Sequence, residues 1–353
     1  MLERTRAVAR FFQDKVGWNR VGVLLSLTII AVAVVVLVHM LRDINVDEVV
    51  AALKRTEWHT IAAAGLFVAL GYFTLTFYDW FALRTIGRKE IPYRVAALAG
   101  FTSYSVGHNI GATVFTGGAV RYRIYSAYGL DAVDVAKICF IAGLTFWLGN
   151  ATVLGLSVTA SPHAAQPIDQ LPPWLNRSLA VITLLILASY VCWVWSAPRA
   201  IGKGEWKVQL PSGPSTLLQI CIGILDLTCC ALAMYMLLPD EPNVGLLTLL
   251  VVFVSATLLG FASHAPGGLG VFDAAMLVAL WEFDKEDLVA GLLLFRLLYY
   301  IAPFVVALAI LGTREFLISM RGAKRLPERP SKRIVSVTAP IRTEIEVEKT
   351  DAG

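Results

Sequence analysis

Charge is scarce in this sequence. Only 16% of its 353 residues are Asp, Glu, Lys or Arg, against roughly a quarter in an ordinary soluble domain. The formal charge of +4 gathers near the two ends and in short loops, so it speaks of membrane orientation and anionic lipid, and no nucleic-acid partner is expected. Cysteines are few and badly placed for chemistry. Cys139, Cys192, Cys221, Cys229 and Cys230 all lie in apolar blocks, with no CxxC pair and no metal spacing to histidine, which argues against a disulfide framework and a zinc site. The chain also lacks GxSxG, HExxH and a Walker lysine. No catalytic residues and no cofactor are therefore expected.

Apolar residues are abundant, at 57% with a mean hydropathy of +0.67. They fall in blocks of about twenty, the length that crosses a hydrocarbon core. The fold class is all-α, a polytopic helical membrane bundle of about eight spans with broken or re-entrant segments. The expected crossings are Val21–Leu41, Trp58–Trp80, Ala132–Ala160, Arg177–Trp195, Ser215–Leu238, Val244–Phe261, His264–Trp281 and Leu288–Leu311. Residues 1–20 form a basic N-terminus, 21–312 the transmembrane domain, and 313–353 a disordered tail. The excess of Lys and Arg places both termini and the 81–94 and 198–214 loops in the cytoplasm. Arg42–Glu57 reads as an interfacial helix, and the proline-rich stretch 161–176 suits the outside.

Two stretches interrupt this pattern with glycine. Val95–Gly118 is rich in Gly, Ser, Thr, His and Asn. It reads either as a re-entrant, broken segment packed against protein or as a regular helix making a tight interhelical contact. Ser263–Pro303 sets a proline and three glycines before a short apolar run, and then buries Arg296 in the next span. An arginine at mid-membrane costs roughly 2.5–3.5 kcal/mol on insertion scales, so such residues need partners. The two stretches share a plan, in which a Gly pair (Gly117–Gly118, Gly267–Gly268) opens a short helix. A D-x-x-D turn follows (Asp131/Asp134, Asp284/Asp287), then a long span with aromatics at matching places (Phe146 and Trp147; Tyr299 and Tyr300). This suggests a weak inverted repeat, a transporter plan with its site at the repeat interface.

The candidate site residues are those that lipid rejects. Asp226 and Arg296 lie inside spans, either as a structural ion pair or as part of a site. Asp79, Arg121, Arg123 and Asp273 lie where spans begin, end or break, and His108, Asn109, Asn150 and His264 are polar residues near the same elements. Arg121 and Arg123 offer planar donor forks suited to phosphate, with Arg121, Tyr125 and Tyr128 on one helix face. Backbone N–H groups at the Gly267, Gly268 and Gly270 turn could receive an anion, unless Asp273 caps them from within. All these groups are expected to converge on one hydrated hollow.

At GGAVRYRIYSAYGL and SHAPGGLGVFDAA the sequence resembles the lysylphosphatidylglycerol synthase transmembrane-region family, over roughly residues 20–315. That family includes stand-alone membrane proteins and the flippase part of the bacterial multiple peptide resistance factor. The resemblance implies a bacterial inner-membrane, multi-pass bundle that moves phospholipids, anionic or aminoacylated, between leaflets. It matches Arg121 and Arg123 to the family's Gly-Gly-x-x-Arg-x-Arg pattern, and Gly267, Gly268 and Gly270 to its second glycine motif. Asp273 stands where glutamate is frequent, and Asp79 and Asp226 match acidic positions more loosely. No aminoacyltransferase domain follows Arg314, so an enzyme is not expected. Partners would be phospholipid headgroups and the bilayer, with a homo-oligomer or a lipid-synthesis partner left open. The rival readings are a membrane enzyme on lipid-linked substrates, using Asp79 with His108 or His264, and an accessory subunit of a synthesis complex.

Overall fold

The computed structural model describes residues 46–111, 113–239, 241–263 and 266–323. The first expected span, the basic N-terminus, His264 and the tail beyond 323 lie outside the described residues. The chain divides into two compact units, Met1–Arg314 and Glu315–Gly353; the candidate site residues all belong to the first.

Among the described residues the structure is almost wholly helical. A short helix α1 (Val46–Arg55) leads to α2 (Trp58–Thr85), α3 (Tyr93–Ile110), α4 (Thr113–Tyr125), α5 (Ala132–Ala160), α6 (Pro173–Ser196) and α7 (Gly213–Leu237). Then come α8 (Leu246–Ala262), α9 (Val271–Ala279), α10 (Lys285–Phe295), a π-helical turn at Arg296–Ile301, and α11 (Ala302–Ala323). A two-stranded antiparallel ribbon, β1 (Ala200–Ile201) with β2 (Val208–Gln209), sits in the loop before α7. Among the described residues, five helical segments are long and apolar enough to cross a membrane: α2, α5, α6, α7 and the run Lys285–Ile318. On α6 even Leu185 and Ile186 are 60% and 66% exposed, as expected of side chains that face lipid rather than a core.

The remaining apolar helices pair into hairpins. In the first, α3 stops at Gly111, whose φ of 82° suits a residue without a Cβ. The chain then reverses. A Cβ on Gly107 would come 2.9 Å from Thr113, and one on Gly117 would come 3.2 Å from the Ser103 carbonyl. These pairings are symmetric about the turn, so α3 and α4 run antiparallel. The segment 95–118 is broken at Gly111 and folded back on itself, with the tight small-residue contact of the other reading formed between its two arms. Gly117 and Gly118 do not open a helix as expected; they lie inside α4, where Gly117 lets it approach α3 and Gly118 faces Cys139 of α5.

The second hairpin is α8 with α9. Gly260 packs on Gly268 and Phe253 on Phe272, ring centroids 5.6 Å apart, again symmetric about the connecting turn. Here the glycines do turn the chain, with φ of 59° at Gly267, 61° at Gly268 and 79° at Gly270. Two crossings are expected over 244–281; α8 and α9 are apolar but shorter than the five long segments, and they fold back on each other.

Contacts at the helix ends fix the two faces of the bundle. Arg88 pairs with Asp134 at 2.5 Å, joining the end of α2 to the start of α5. That carboxylate also raises the pKa of the Arg88 guanidinium above its ordinary value. On the other face Arg55 lies 3.8 Å from Asp287, joining α1 to the start of α10. Asp131 and Asp284 cap α5 and α10, the helix-start role expected of the D-x-x-D turns. The bundle therefore contains a crossing, a hairpin and a crossing (α2, α3–α4, α5), and the same sequence in the opposite direction (α7, α8–α9, α10–α11). This shared order of elements begins upstream of the glycine motifs, at α2 and α7.

At the centre, α5 and α7 run parallel and nearly touch. A Cβ on Gly149 would sit 2.7 Å from the Gly223 Cα, and Gln219 donates to the Thr145 hydroxyl at 2.8 Å. Small residues let backbones meet where lipid supplies no hydrophobic drive.

Candidate functional site

The two hairpins touch where α3 contacts the Pro266–Gly268 turn. Asn109, near the tip of the first hairpin, donates to the Tyr300 carbonyl at 3.1 Å. Each hairpin is tied to a crossing helix by an ion pair, buried in the first and with its carboxylate side chain 25% exposed in the second.

In the first repeat the pair is Asp79 with Arg121. Asp79 is not at a span exit, because α2 continues for six residues beyond it, and it is completely buried. Arg121 on α4 donates through Nε to both carboxylate oxygens at 3.0 Å and through Nη2 to Oδ1 at 2.7 Å. Tyr125, one turn further along α4, donates its hydroxyl to Oδ2 at 2.7 Å. The Tyr104 ring covers the guanidinium at 4.8 Å, a cation–π contact. Tyr128, expected on the same face, is instead exposed in a turn after α4. Arg123 is half-buried on a different face from Arg121, as two-residue spacing on a helix requires.

In the second repeat the pair is Asp273 with Arg296. Arg296 donates through Nε to Asp273 Oδ1 at 2.9 Å and through Nη2 to Oδ2, while Nη1 reaches the Gly267 carbonyl at 3.3 Å. The backbone N–H of Gly270 donates to Asp273 at 3.1 Å. The start of α9 is thus capped from within by a carboxylate, and that seat is not open to an anion as the glycine turn suggests. Arg296 also lies 5.6 Å from the Tyr300 ring centroid, inside the π-helical turn, a geometry frequent at functional positions.

The Asp226–Arg296 pair considered from sequence does not form, because Arg296 is taken by Asp273. Asp226 lies on α7, 5% exposed, against α2. Tyr78 donates to its Oδ2 at 3.0 Å, Thr74 Oγ1 lies 3.2 Å from its Oδ1, and Cys230 Sγ lies 3.9 Å from Oδ1. No described basic side chain pairs with it.

The charges therefore do not share one hydrated hollow. Each carboxylate has its own set of partners, and the sets are joined by aromatic rings. Tyr104 packs on Tyr78 at 5.7 Å and on His108 at 5.7 Å, His108 stacks on Tyr299 at 6.3 Å, and Tyr299 meets Tyr300 at 5.1 Å. Tyr72 donates to the Tyr299 carbonyl at 3.0 Å. This layer links both ion pairs and Asp226, and it is not apparent in the sequence. The signal available was the number of tyrosines inside spans, since a buried phenol needs a partner for its hydroxyl. Of the other polar candidates, Asn150 is buried on α5 and donates to the Phe146 carbonyl of its own helix. A cavity of about 470 Å³ opens on the face of Arg55 and Asp287, lined by His163, Arg177, Trp281 and Glu282 among others. None of the candidate residues lines it.

Comparison with known proteins agrees with this architecture. An inner membrane protein of Escherichia coli, YbhN, is 26% identical over 296 residues, 82% of this chain and 91% of its own. A Synechocystis protein, slr0712, is 27% identical over 258 residues, 73% of this chain and 80% of its own. The phosphatidylglycerol lysyltransferase of Staphylococcus haemolyticus is 25% identical over 305 residues, 82% of this chain but 33% of that longer protein. The family described as lysylphosphatidylglycerol synthase TM region matches residues 23–307. With its crossing helices and paired hairpins, this chain is a membrane protein that belongs to the lysylphosphatidylglycerol synthase transmembrane-region family.

Proposed function

We propose that this protein is a flippase-like lipid transporter of the bacterial inner membrane, moving phospholipids between leaflets. The observation that carries the reading is the contact between two helical hairpins, made by α3 on the Pro266–Gly268 turn, which we read as re-entrant elements entering from opposite faces. Transporters built on inverted repeats place their substrate path where such broken elements meet. In lipid, irregular backbone is tolerated only against protein or a cavity, so a rearrangement of the two tips is the natural route for opening a polar path.

In this reading the ion pairs are the latches of the hairpins. Asp79 with Arg121 holds α4 against α2, and Asp273 with Arg296 holds the glycine turn (Gly267, Gly268, Gly270) and α9 against α10. A phosphate headgroup competes with the carboxylates for the guanidinium forks of Arg121 and Arg296, whose geometry suits both anions. Arg123 then serves to recruit the headgroup at the mouth of the first hairpin. Asp226 suits an amine on the same lipid. The alternative enzyme reading gains no support, because Asp79 is held by Arg121 and Tyr125 while His108 stacks on Tyr104 and Tyr299.

The test is translocation of fluorescent phospholipids in vesicles reconstituted with the full chain. Wild type is expected to equilibrate the label between leaflets faster than protein-free vesicles. Arg123→Ala, which leaves both latches intact, is expected to slow this for anionic more than zwitterionic lipid. A folded wild-type chain that moves no lipid above background refutes the proposal.

A further inference from the structure

Two of the three acidic candidates have an arginine of their own: Asp79 pairs with Arg121 and Asp273 with Arg296. Asp226, 5% exposed, has no such partner among the described ion pairs.

The groups around Asp226 are uncharged. From α2 it meets Tyr78, Thr74 and the Gly71 backbone, where a Cβ would lie 3.8 Å from Oδ1. From its own helix it meets Cys230, with Cys229 beside Gly71. The titratable groups on the other elements that approach this region are Tyr104 of α3, packed on Tyr78, and Tyr299 of the π-helical turn, packed on Tyr72. A lone ionised carboxylate in such surroundings is costly, and such groups take up a proton instead.

The hydrogen bonds carry the same message independently. The Thr74 hydroxyl lies 2.6 Å from the Gly71 carbonyl and 3.2 Å from Asp226 Oδ1. It has a single proton to give, and the shorter contact, to a carbonyl that can only accept, claims it. Thr74 Oγ1 is then left as an acceptor facing Asp226 Oδ1. A proton on Oδ1 completes the set: Oδ1–H donates to Thr74, Thr74 donates to Gly71, and Tyr78 donates to Oδ2.

We infer that Asp226 is a proton-binding site, occupied in the resting protein, that releases its proton when a primary ammonium group of a lipid headgroup arrives beside it. The exchange balances. The carboxylic acid becomes a carboxylate paired with the incoming ammonium, and one proton leaves for solvent, so the charge of the interior is unchanged. The ammonium half of this inference rests on the lipid-transport reading, whereas the resting proton does not.

The experiment is infrared difference spectroscopy of the full chain in nanodiscs at neutral pH, with proton release followed by an indicator dye in weak buffer. The added probe is a short-chain phosphatidylethanolamine, with the matching phosphatidylglycerol as the amine-free control. Wild type is expected to show a protonated-carboxyl band that Asp226→Asn lacks and Asp226→Glu restores at shifted frequency. The amine lipid is expected to abolish the band and release protons stoichiometrically, and the control lipid to do neither. Absence of the band overturns the inference, and so does a band that persists while the amine lipid is bound. These readouts need no translocation. Intact proton release with no lipid movement would therefore refute the transport function and leave the proton site standing.

Discussion

Removing the first latch gives the sharpest test of how this bundle is held. In Asp79→Leu, Arg121 keeps its buried position but loses both carboxylate oxygens, its short Nη2 contact included. In Arg121→Met, Asp79 retains only the Tyr125 hydroxyl. Each single change leaves an uncompensated buried charge, which costs about 3–5 kcal/mol. The double variant removes both charges and leaves the Tyr125 hydroxyl without its acceptor, a cost of about 1–3 kcal/mol. The two single losses together would amount to roughly 6–10 kcal/mol, so the double variant should be more stable than either single by a clear margin. Reversible unfolding in mixed micelles of SDS and a mild detergent, followed by circular dichroism, measures all four corners of the cycle. If the double variant loses the sum of the two single losses, the pair is not coupled, and the latch argument fails. The folded double variant then separates holding from transport. It is expected to move no lipid, and lipid movement at the wild-type rate would remove Arg121 from the mechanism.

Other expectations follow from the same geometry. Gly149→Ala drives a methyl into the Gly223 backbone, with 2.7 Å available, and should cost about 1–3 kcal/mol; Gly143→Ala meets nothing within 4 Å and should be neutral or stabilising by up to about 1 kcal/mol. Both are read as shifts in thermal aggregation temperature in detergent. Arg296→Lys keeps the charge but cannot reach Asp273 and the Gly267 carbonyl together. Limited proteolysis should then cut the 266–270 turn faster than in wild type, and an unchanged rate would count against the second latch. Tyr72→Phe removes the donor to the Tyr299 carbonyl and should cost about 0.6–1.7 kcal/mol, the range for hydrogen bonds between membrane helices. With the native cysteines replaced, Glu90→Cys and Tyr128→Cys should react with an impermeant thiol reagent from one side of sealed vesicles, and Asp284→Cys from the other. Labelling of Glu90→Cys and Tyr128→Cys from opposite sides would refute the α3–α4 hairpin.

The break at Gly111 came from the structure. The sequence alone determined the long apolar helices, the helix starts at Asp131 and Asp284, the glycine turn at Gly267, and the residues that lipid would reject. Each of these is a local cost, legible wherever Gly, Pro or a charge interrupts apolar chain. Only the tertiary structure decided which charges meet. Helices α2, α5 and α7 are apolar on every side, so no periodicity reveals which face looks inward, and facing is set instead by contacts such as Gly149 on Gly223 or Gly71 on Cys230. That packing gave Arg296 to Asp273 rather than to Asp226, buried Asp79 within α2, and joined α8 and α9 into a hairpin. A buried charge announces in sequence that it needs a partner; the partner is chosen by whichever helices can come close enough in space.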